Sequence, residues 1–428
     1  MPSKYCFLRF GSNLYFFTFV SLSFIYVIVT SIKAAESFRI DFSNTAIAFG
    51  ARSDKSIKRA YWLFSMIKYN WIVKTGPILV NLGFRLRLPI EGLIRKTVFR
   101  HFCGGISIND CDKTIARLAS ENIGSILDYS VEGADDEKLF DQTADQIIQT
   151  IEKAKGNKSI PFAVFKVTGI ARNAILEKVS KKEPLSESEK FEYDRLVFRF
   201  NAICESASKC SVRLFVDAEE SWLQNAIDDL TELMMMEYNK SEVIIFNTIQ
   251  LYRHDRLEYL KQGVKNGMEK GYKLGYKLVR GAYMEKERER AKDKNYPSPI
   301  HVDKNAVDID YNEALKFCLD HIQHTSICAG THNEESSLIL AKMMQEKNIS
   351  IDHHHVWFSQ LLGMSDHISV NMAYAGFNVA KYVPYGPVKS VLPYLFRRAE
   401  ENTSIKGQTG RELQLLKKEM KRRNLFTF

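Results

Sequence analysis

Downstream of residue 120 the chain alternates between two hydrophobic spacings. Short apolar or β-branched runs occur at GSILDYS (124–130), FAVFKVTGI (162–170), VRLFVDAEE (212–220), EVIIFNTIQ (242–250), YKLVRGAY (276–283), SICAGTHN (326–333), HVWFSQLLG (355–363) and AKYVPYG (380–386). Most are separated by polar stretches of helical period, such as Leu185–Lys209, Trp222–Tyr238 and Glu334–Lys347. Strands alternating with helices imply a parallel sheet, and eight such units imply a closed (β/α) barrel. An open doubly wound sheet is the fallback, but the G-x-G-x-x-G fingerprint expected with it is absent. The pattern upstream differs. Lys58–Phe102 reads as helical, basic and aromatic, and Phe10–Ile32 carries no charge at all.

That uncharged run is long enough to span a bilayer; Lys4 and Arg9 precede it and the first acid is Glu36. It reads as a signal peptide, a signal anchor or an unusually apolar organelle-targeting segment, and its composition favours the first two. The domain reading is therefore 1–37 as a targeting or membrane segment, 38–120 as an N-terminal helical region and 121–428 as the barrel domain. The bulk composition, 45% hydrophobic and 26% charged, is that of a globular protein. A net charge of +9 suits lipid or phosphate-bearing partners and is too dispersed to argue for nucleic acid. Seven scattered cysteines without a CxxC pair predict free thiols in a reducing compartment.

On such barrels chemistry sits at the C-terminal ends of the strands. Polar residues gather there: Asp128, Lys166, Asp217, Gln250, Lys277, Arg280, Thr331, His332, Asn333, Gln360 and Tyr382. In PYLFRRAEEN (393–402), Tyr394, Arg397, Arg398 and Glu401 share about a third of the helix circumference, with Val391, Leu392, Leu395 and Ala399 on another side. Taken alone, that face reads first as a solvated i,i+4 charge array. Ser390 is the expected N-cap, with Pro393 in the first turn. Lys166, Arg397 and Arg398 together suit a carboxylate, which the arginine fork binds bidentately. No G-x-S-x-G, P-loop or H-E-x-x-H is present, which favours a cofactor with its own reactivity. The three histidines at 353–355 lack the matched acid or cysteine spacing of a metal site.

FVDAEES (215–221), FNTIQLY (246–252), KLVRGAYMEKERERA (277–291), THNEES (331–336), FSQLLGM (358–364), YVPYGPV (382–388) and YLFRRAEEN (394–402), in this order, resemble the proline dehydrogenases, in particular the eukaryotic mitochondrial single-function form. The resemblance implies a distorted (β/α)8 TIM-type barrel with an N-terminal helical extension and a C-terminal helix over its mouth, holding FAD. It implies oxidation of L-proline to Δ1-pyrroline-5-carboxylate, with electrons passed to membrane quinone at the matrix surface of the inner mitochondrial membrane. In its terms Lys166, Arg397 and Arg398 grip the substrate carboxylate. Leu278, Tyr394 and Tyr382 pack on the ring, Asp217 holds Tyr382, and Glu401 steadies the arginines. Gln250, Lys277, Val279, Gly281, Ala282, Tyr283, Lys304, Thr331, His332, Asn333 and Gln360 fall at cofactor positions. Two departures are Val302 and Val307, where relatives often carry threonine. The alternatives are a hydroxyproline dehydrogenase on the same fold and a catalytically silent flavin-binding membrane protein. The basic amphipathic stretch Arg411–Phe428 reads either as a lipid contact or as a helix docked on the barrel.

Overall fold

A computed structural model describes residues 40–426 apart from 68, 131–135 and 405–407, with the backbone alone at 70, 72, 74, 400–404, 408 and 409. The Phe10–Ile32 segment lies outside the described residues. Eight parallel strands close into a barrel in sequence order, β8 returning to β1. They are β1 (Ile123–Tyr129), β2 (Phe162–Phe165), β3 (Arg213–Val216), β4 (Ile245–Gln250), β5 (Leu274–Val279), β6 (Thr325–Gly330), β7 (Val356–Leu361) and β8 (Val379–Tyr385). Each of the eight apolar runs singled out in the sequence holds one of these strands. Their near-continuous burial follows from a sheet covered by helices outside and side chains inside.

Alternation along each strand sorts residues between these two surroundings. The inward set includes Ile126, Phe162, Val164, Phe215, Phe246, Cys328, Ala380 and Tyr382, one contiguous cluster. Phe162 stacks on Phe215 at 4.4 Å and meets Phe246 and Trp357 edge-on at 5.7 and 5.2 Å. This aromatic plug fills the barrel interior, so the centre is a packed core and the room for chemistry lies above it. Truncating one of these phenylalanines to alanine removes about 3–5 kcal/mol.

The helical wall is irregular at one place. The helix after β8 (Val388–Ser404) packs on the Asn70–Arg85 helix and on the π-helical turn Arg95–Phe99, while the Asp112–Ala119 helix packs on β1. Helix Val388–Ser404 begins earlier than expected, because the Pro387 carbonyl already accepts from the Ser390 and Val391 amides, at 2.9 and 3.2 Å. Ser390 is therefore not its N-cap, and Pro393 lies in the helix interior. Lacking an N–H, Pro393 leaves the Lys389 carbonyl without its helical donor.

The last helix, Gln408–Arg422, docks on the N-terminal helix Asp54–Ile67. Leu415, Leu416 and Met420 meet Ile57, Ala60 and Phe64. Just past its end Arg423 donates to the carbonyls of Phe49 and Arg52 at 2.6 and 2.8 Å, and within it Lys418 donates to that of Ser43 at 2.6 Å. Of the two readings of this stretch, the structure shows the docked helix. Among the described residues no helix is long and apolar enough to cross a membrane.

Candidate active site

A cavity of about 570 Å³ opens where the strands end. Lys166, Asp217, Gln250, Lys277, Val279, Gly281, Ala282, Tyr283, Lys304, Thr331, His332, Asn333, Gln360, Tyr382, Tyr394, Arg397 and Arg398 all line it. Two expected residues do not. Leu278 is fully buried. Its neighbours Lys277 and Val279 line the cavity, so strand alternation turns Leu278 to the helix layer. It meets that layer through its carbonyl, which accepts from Tyr311 at 3.3 Å. The side chain of Glu401 lies outside the described residues.

At the floor, one carboxylate serves two partners. Asp217 accepts from the Tyr382 hydroxyl at 2.7 Å and pairs with the Lys277 ammonium. Lys277 also stands 4.8 Å from the centroid of the Tyr382 ring and 5.2 Å from that of Phe215. Burial pushes the Tyr382 phenol well above its ordinary value, and the Asp217 charge adds to that. The phenol is therefore a fixed, neutral donor. A buried ion pair of this kind owes its stability to its own completeness, because either charge alone would be stranded.

Across the cavity, helix Val388–Ser404 supplies Tyr394, Arg397 and Arg398, with the Arg398 guanidinium 5.2 Å from the Tyr394 ring centroid. Leu392 and Leu395 anchor this helix on Leu63, Val73 and Phe99. Met364 and Leu361, which the sequence reading did not single out, belong to the same apolar cluster and also line the cavity.

A second region lies around Arg280. Its guanidinium donates to Asp308 at 2.8 Å, Thr331 Oγ1 at 2.7 Å and Ser336 Oγ at 2.9 Å, and sits 4.3 Å over Tyr311. Lys304 pairs with the same Asp308. Gly281 next to it has φ +139°, and a Cβ there would meet the Tyr252 ring at 2.5 Å. Only glycine fits. Of the two expected threonine positions, Val307 is buried against Tyr252 and Ile300, whereas Val302 is 94% exposed. Asn333 caps the helix Glu334–Glu346, accepting from Ser336 N at 3.0 Å. The Gln360 amide bridges the Thr331 carbonyl at 3.1 Å and the Ser369 hydroxyl at 2.7 Å. His332 Nδ1 lies 3.0 Å from Ser365 Oγ; burial, then the Lys381 and Arg398 charges, hold this imidazole neutral.

Lys381, outward on β8 and 1% exposed, ties the loop after β7 in place. It pairs with Asp366 at 2.9 Å and donates to the Leu361 carbonyl at 3.2 Å, and Asp366 in turn holds Arg52. No sequence pattern announces such a contact. The histidines at 353–355 precede β7, at the opposite end of the barrel from the cavity.

The description "Proline dehydrogenase" belongs to the family model that matches residues 111–411. "Proline dehydrogenase 1, mitochondrial" of Arabidopsis thaliana is 30% identical over 426 residues, covering 89% of this chain and 82% of the relative. "Hydroxyproline dehydrogenase" of Xenopus laevis is also 30% identical, covering 92% of each. Among solved structures, proline utilization A of Bdellovibrio bacteriovorus superposes with a TM-score of 0.66 over 86% of this chain. At 17% identity and with 40% of that longer chain spanned, this likeness speaks for the fold alone. The family model covers most of the barrel and the helix over its mouth, and the chain belongs to the proline dehydrogenase family.

Proposed function

We propose that this protein oxidises L-proline to Δ1-pyrroline-5-carboxylate, with FAD as the hydride acceptor and a membrane quinone taking the electrons onward. The observation that carries the reading is the convergence of Arg397, Arg398 and Lys166 on a cavity whose facing wall is the Asp217–Tyr382 pair. Three cations around one small volume suit a carboxylate. The tyrosine rings of 382 and 394 offer an apolar wall for a five-membered ring. Clamped at its carboxylate, the substrate has one orientation, and positioning of this kind removes much of the barrier. The ring carbon next to nitrogen loses a hydride, the nitrogen loses its proton, and the C=N bond forms.

The residues present fit a flavin dinucleotide. Arg280 and Lys304 form a cationic end suited to a diphosphate, while Val279, Ala282, Leu361 and Met364 give apolar surface for a flat ring system. When bound, the flavin would supply the two-electron acceptor that no side chain provides. Lys277 would lend positive charge where negative charge develops. The Arabidopsis relative is named as mitochondrial, which supports a mitochondrial location; a place on the matrix side of the inner membrane would put the reduced flavin within reach of quinone.

Hydroxyproline is the second reading, favoured by the Xenopus relative. Against it, Tyr382 is 8% exposed and pinned by Asp217, so a hydroxyl on carbon 4 meets a fixed aromatic wall. The test is the visible spectrum of the purified protein before and after adding each imino acid. Proline should bleach a flavin band, and hydroxyproline should do so far more slowly. Arg397→Lys or Arg398→Lys should raise KM for proline by roughly 10- to 100-fold, the loss of a charge-assisted bond, at unchanged flavin content. Unchanged proline kinetics in both variants would remove the clamp.

A further inference from the structure

The helix Asn70–Arg85 is apolar on two opposite sides. Measured from Val73 at about 100° per residue, Val80 and Phe84 lie within roughly 20°. These three pack into the cluster containing Val391, Leu392 and Leu395 of the helix that carries the arginines. Trp71, Ile78, Leu79 and Leu82 lie at about 140–240°, the far side. They are 48–67% exposed. Leu86, Leu88 and Leu93 follow it in the chain at 51–66% exposure, and Trp62 and Tyr69 precede it, also exposed. Of the twenty-two large hydrophobic residues exposed among the described ones, nine fall within residues 62–93. Soluble surfaces rarely concentrate apolar groups this way, and a helix apolar all round is ordinarily covered on both sides.

The charges around it are one-sided. Arg85, Arg87, Arg95, Lys96 and Arg100 are exposed, and between Lys55 and Arg100 the only acid is Glu91. We propose that this face docks on an anionic lipid bilayer, its leucines, isoleucine and tryptophans in the headgroup–acyl boundary and its cations on lipid phosphates. A second copy of the chain would set these cations against each other. The chain's own Phe10–Ile32 segment has no acid to answer them. An anionic bilayer matches both the apolar face and its rim. The docking stands on this surface alone, independently of the substrate assigned above.

The chain's four tryptophans make the test selective. Trp71 lies on the face and Trp62 is exposed on the preceding helix, Trp222 and Trp357 lie in the barrel domain, and the first 61 residues hold none. Vesicles of phosphatidylglycerol with brominated acyl chains, mixed with the full-length protein, should quench tryptophan fluorescence. Brominated phosphatidylcholine should quench less, and about 0.5 M salt should weaken the anionic case. The quenched fraction should vanish in the Trp62→Phe/Trp71→Phe variant. Leu79→Glu/Leu82→Glu should lower vesicle partitioning at least about tenfold while turnover with a soluble electron acceptor persists. Vesicle binding without quenching would assign attachment to the N-terminal segment and overturn the proposal. So would a Leu79→Glu/Leu82→Glu variant that converts a dimer to a monomer with unchanged partitioning. If that variant fails to fold, quenching in the unmodified protein still decides.

Discussion

In the proposed reaction Asp217 is the residue at which stability and catalysis meet, and a two-residue cycle separates them. Its side chain is 12% exposed and that of Lys277 7%, so neither charge has solvent to fall back on. Asp217→Ala strands the ammonium and removes the acceptor of Tyr382. Removing one member of such a buried pair costs about 3–5 kcal/mol. With an unfolding entropy near 2.1 cal/mol/K per residue, a chain of this length loses roughly 3–6 °C in Tm. Lys277→Met strands the carboxylate, though the Tyr382 hydroxyl still serves it, so its cost should be smaller. In the double variant no unpaired charge remains. It should be more stable than the sum of the singles by about 1–3 kcal/mol. Thermal unfolding followed by circular dichroism on the flavin-loaded protein supplies the four Tm values. Asp217→Asn completes the set: it keeps an acceptor for Tyr382 but no countercharge, and should recover substrate affinity better than it recovers Tm. Effects that add within about 0.5 kcal/mol would refute the idea that one carboxylate couples the two partners.

Three further outcomes are expected. Acid should destabilise the fold through buried histidines: burial, reinforced by the Arg52 charge, pushes His101 down to about 3, and burial, reinforced by His354, does the same to His355. Each is neutral when folded with a folded value below the unfolded one, so its contribution is complete above about pH 6.5 and is lost as pH falls towards 3, at about 1.4 kcal/mol per pH unit each; a flat Tm across that window would contradict this. Glu219 runs the other way. Burial raises it to about 7 against the hydrogen bonds from Thr168, so its contribution is complete below about 4.5 and is lost as pH rises through 7, and Glu219→Gln should flatten the alkaline side of a Tm profile. Tyr382→Ser should narrow the preference for proline over 4-hydroxyproline in paired kcat/KM measurements, since it removes the fixed ring; an unchanged ratio would place substrate discrimination elsewhere.

The barrel was legible because each strand is a compact apolar run ending in a polar residue, and eight of these have one economical closure. Most of the cavity wall was legible for the same reason, strand ends being where a barrel exposes side chains. Leu278 was misread because a motif gives neighbours in the chain, whereas a strand sends neighbours to opposite faces. The position of Pro393 turned on Pro387 starting its helix, a local detail that a stronger capping residue, Ser390, concealed. Lys381, Asp366 and Arg52 could not be found, since they meet only after distant segments pack. The Asn70–Arg85 helix hid its meaning differently. A second apolar face looks in the sequence like a deeper core.

The docking of the last helix on Asp54–Ile67 has a consequence in time. Helix Asp54–Ile67 finds Leu415, Leu416 and Met420 only after some 350 further residues have been made. At about 5–20 residues per second that is roughly 20–70 s of synthesis. Until then Ile57, Ala60 and Phe64 lack the part of their cover that the last helix supplies, with Ala48, Phe49, His101 and Phe102 the neighbours already made. The earliest described helix of more than one turn to leave the ribosome is thus among the last to be fully covered. A chain cut short anywhere before residue 415 leaves part of that helix's apolar side unmatched, an open tag by which unfinished copies can be told from finished ones.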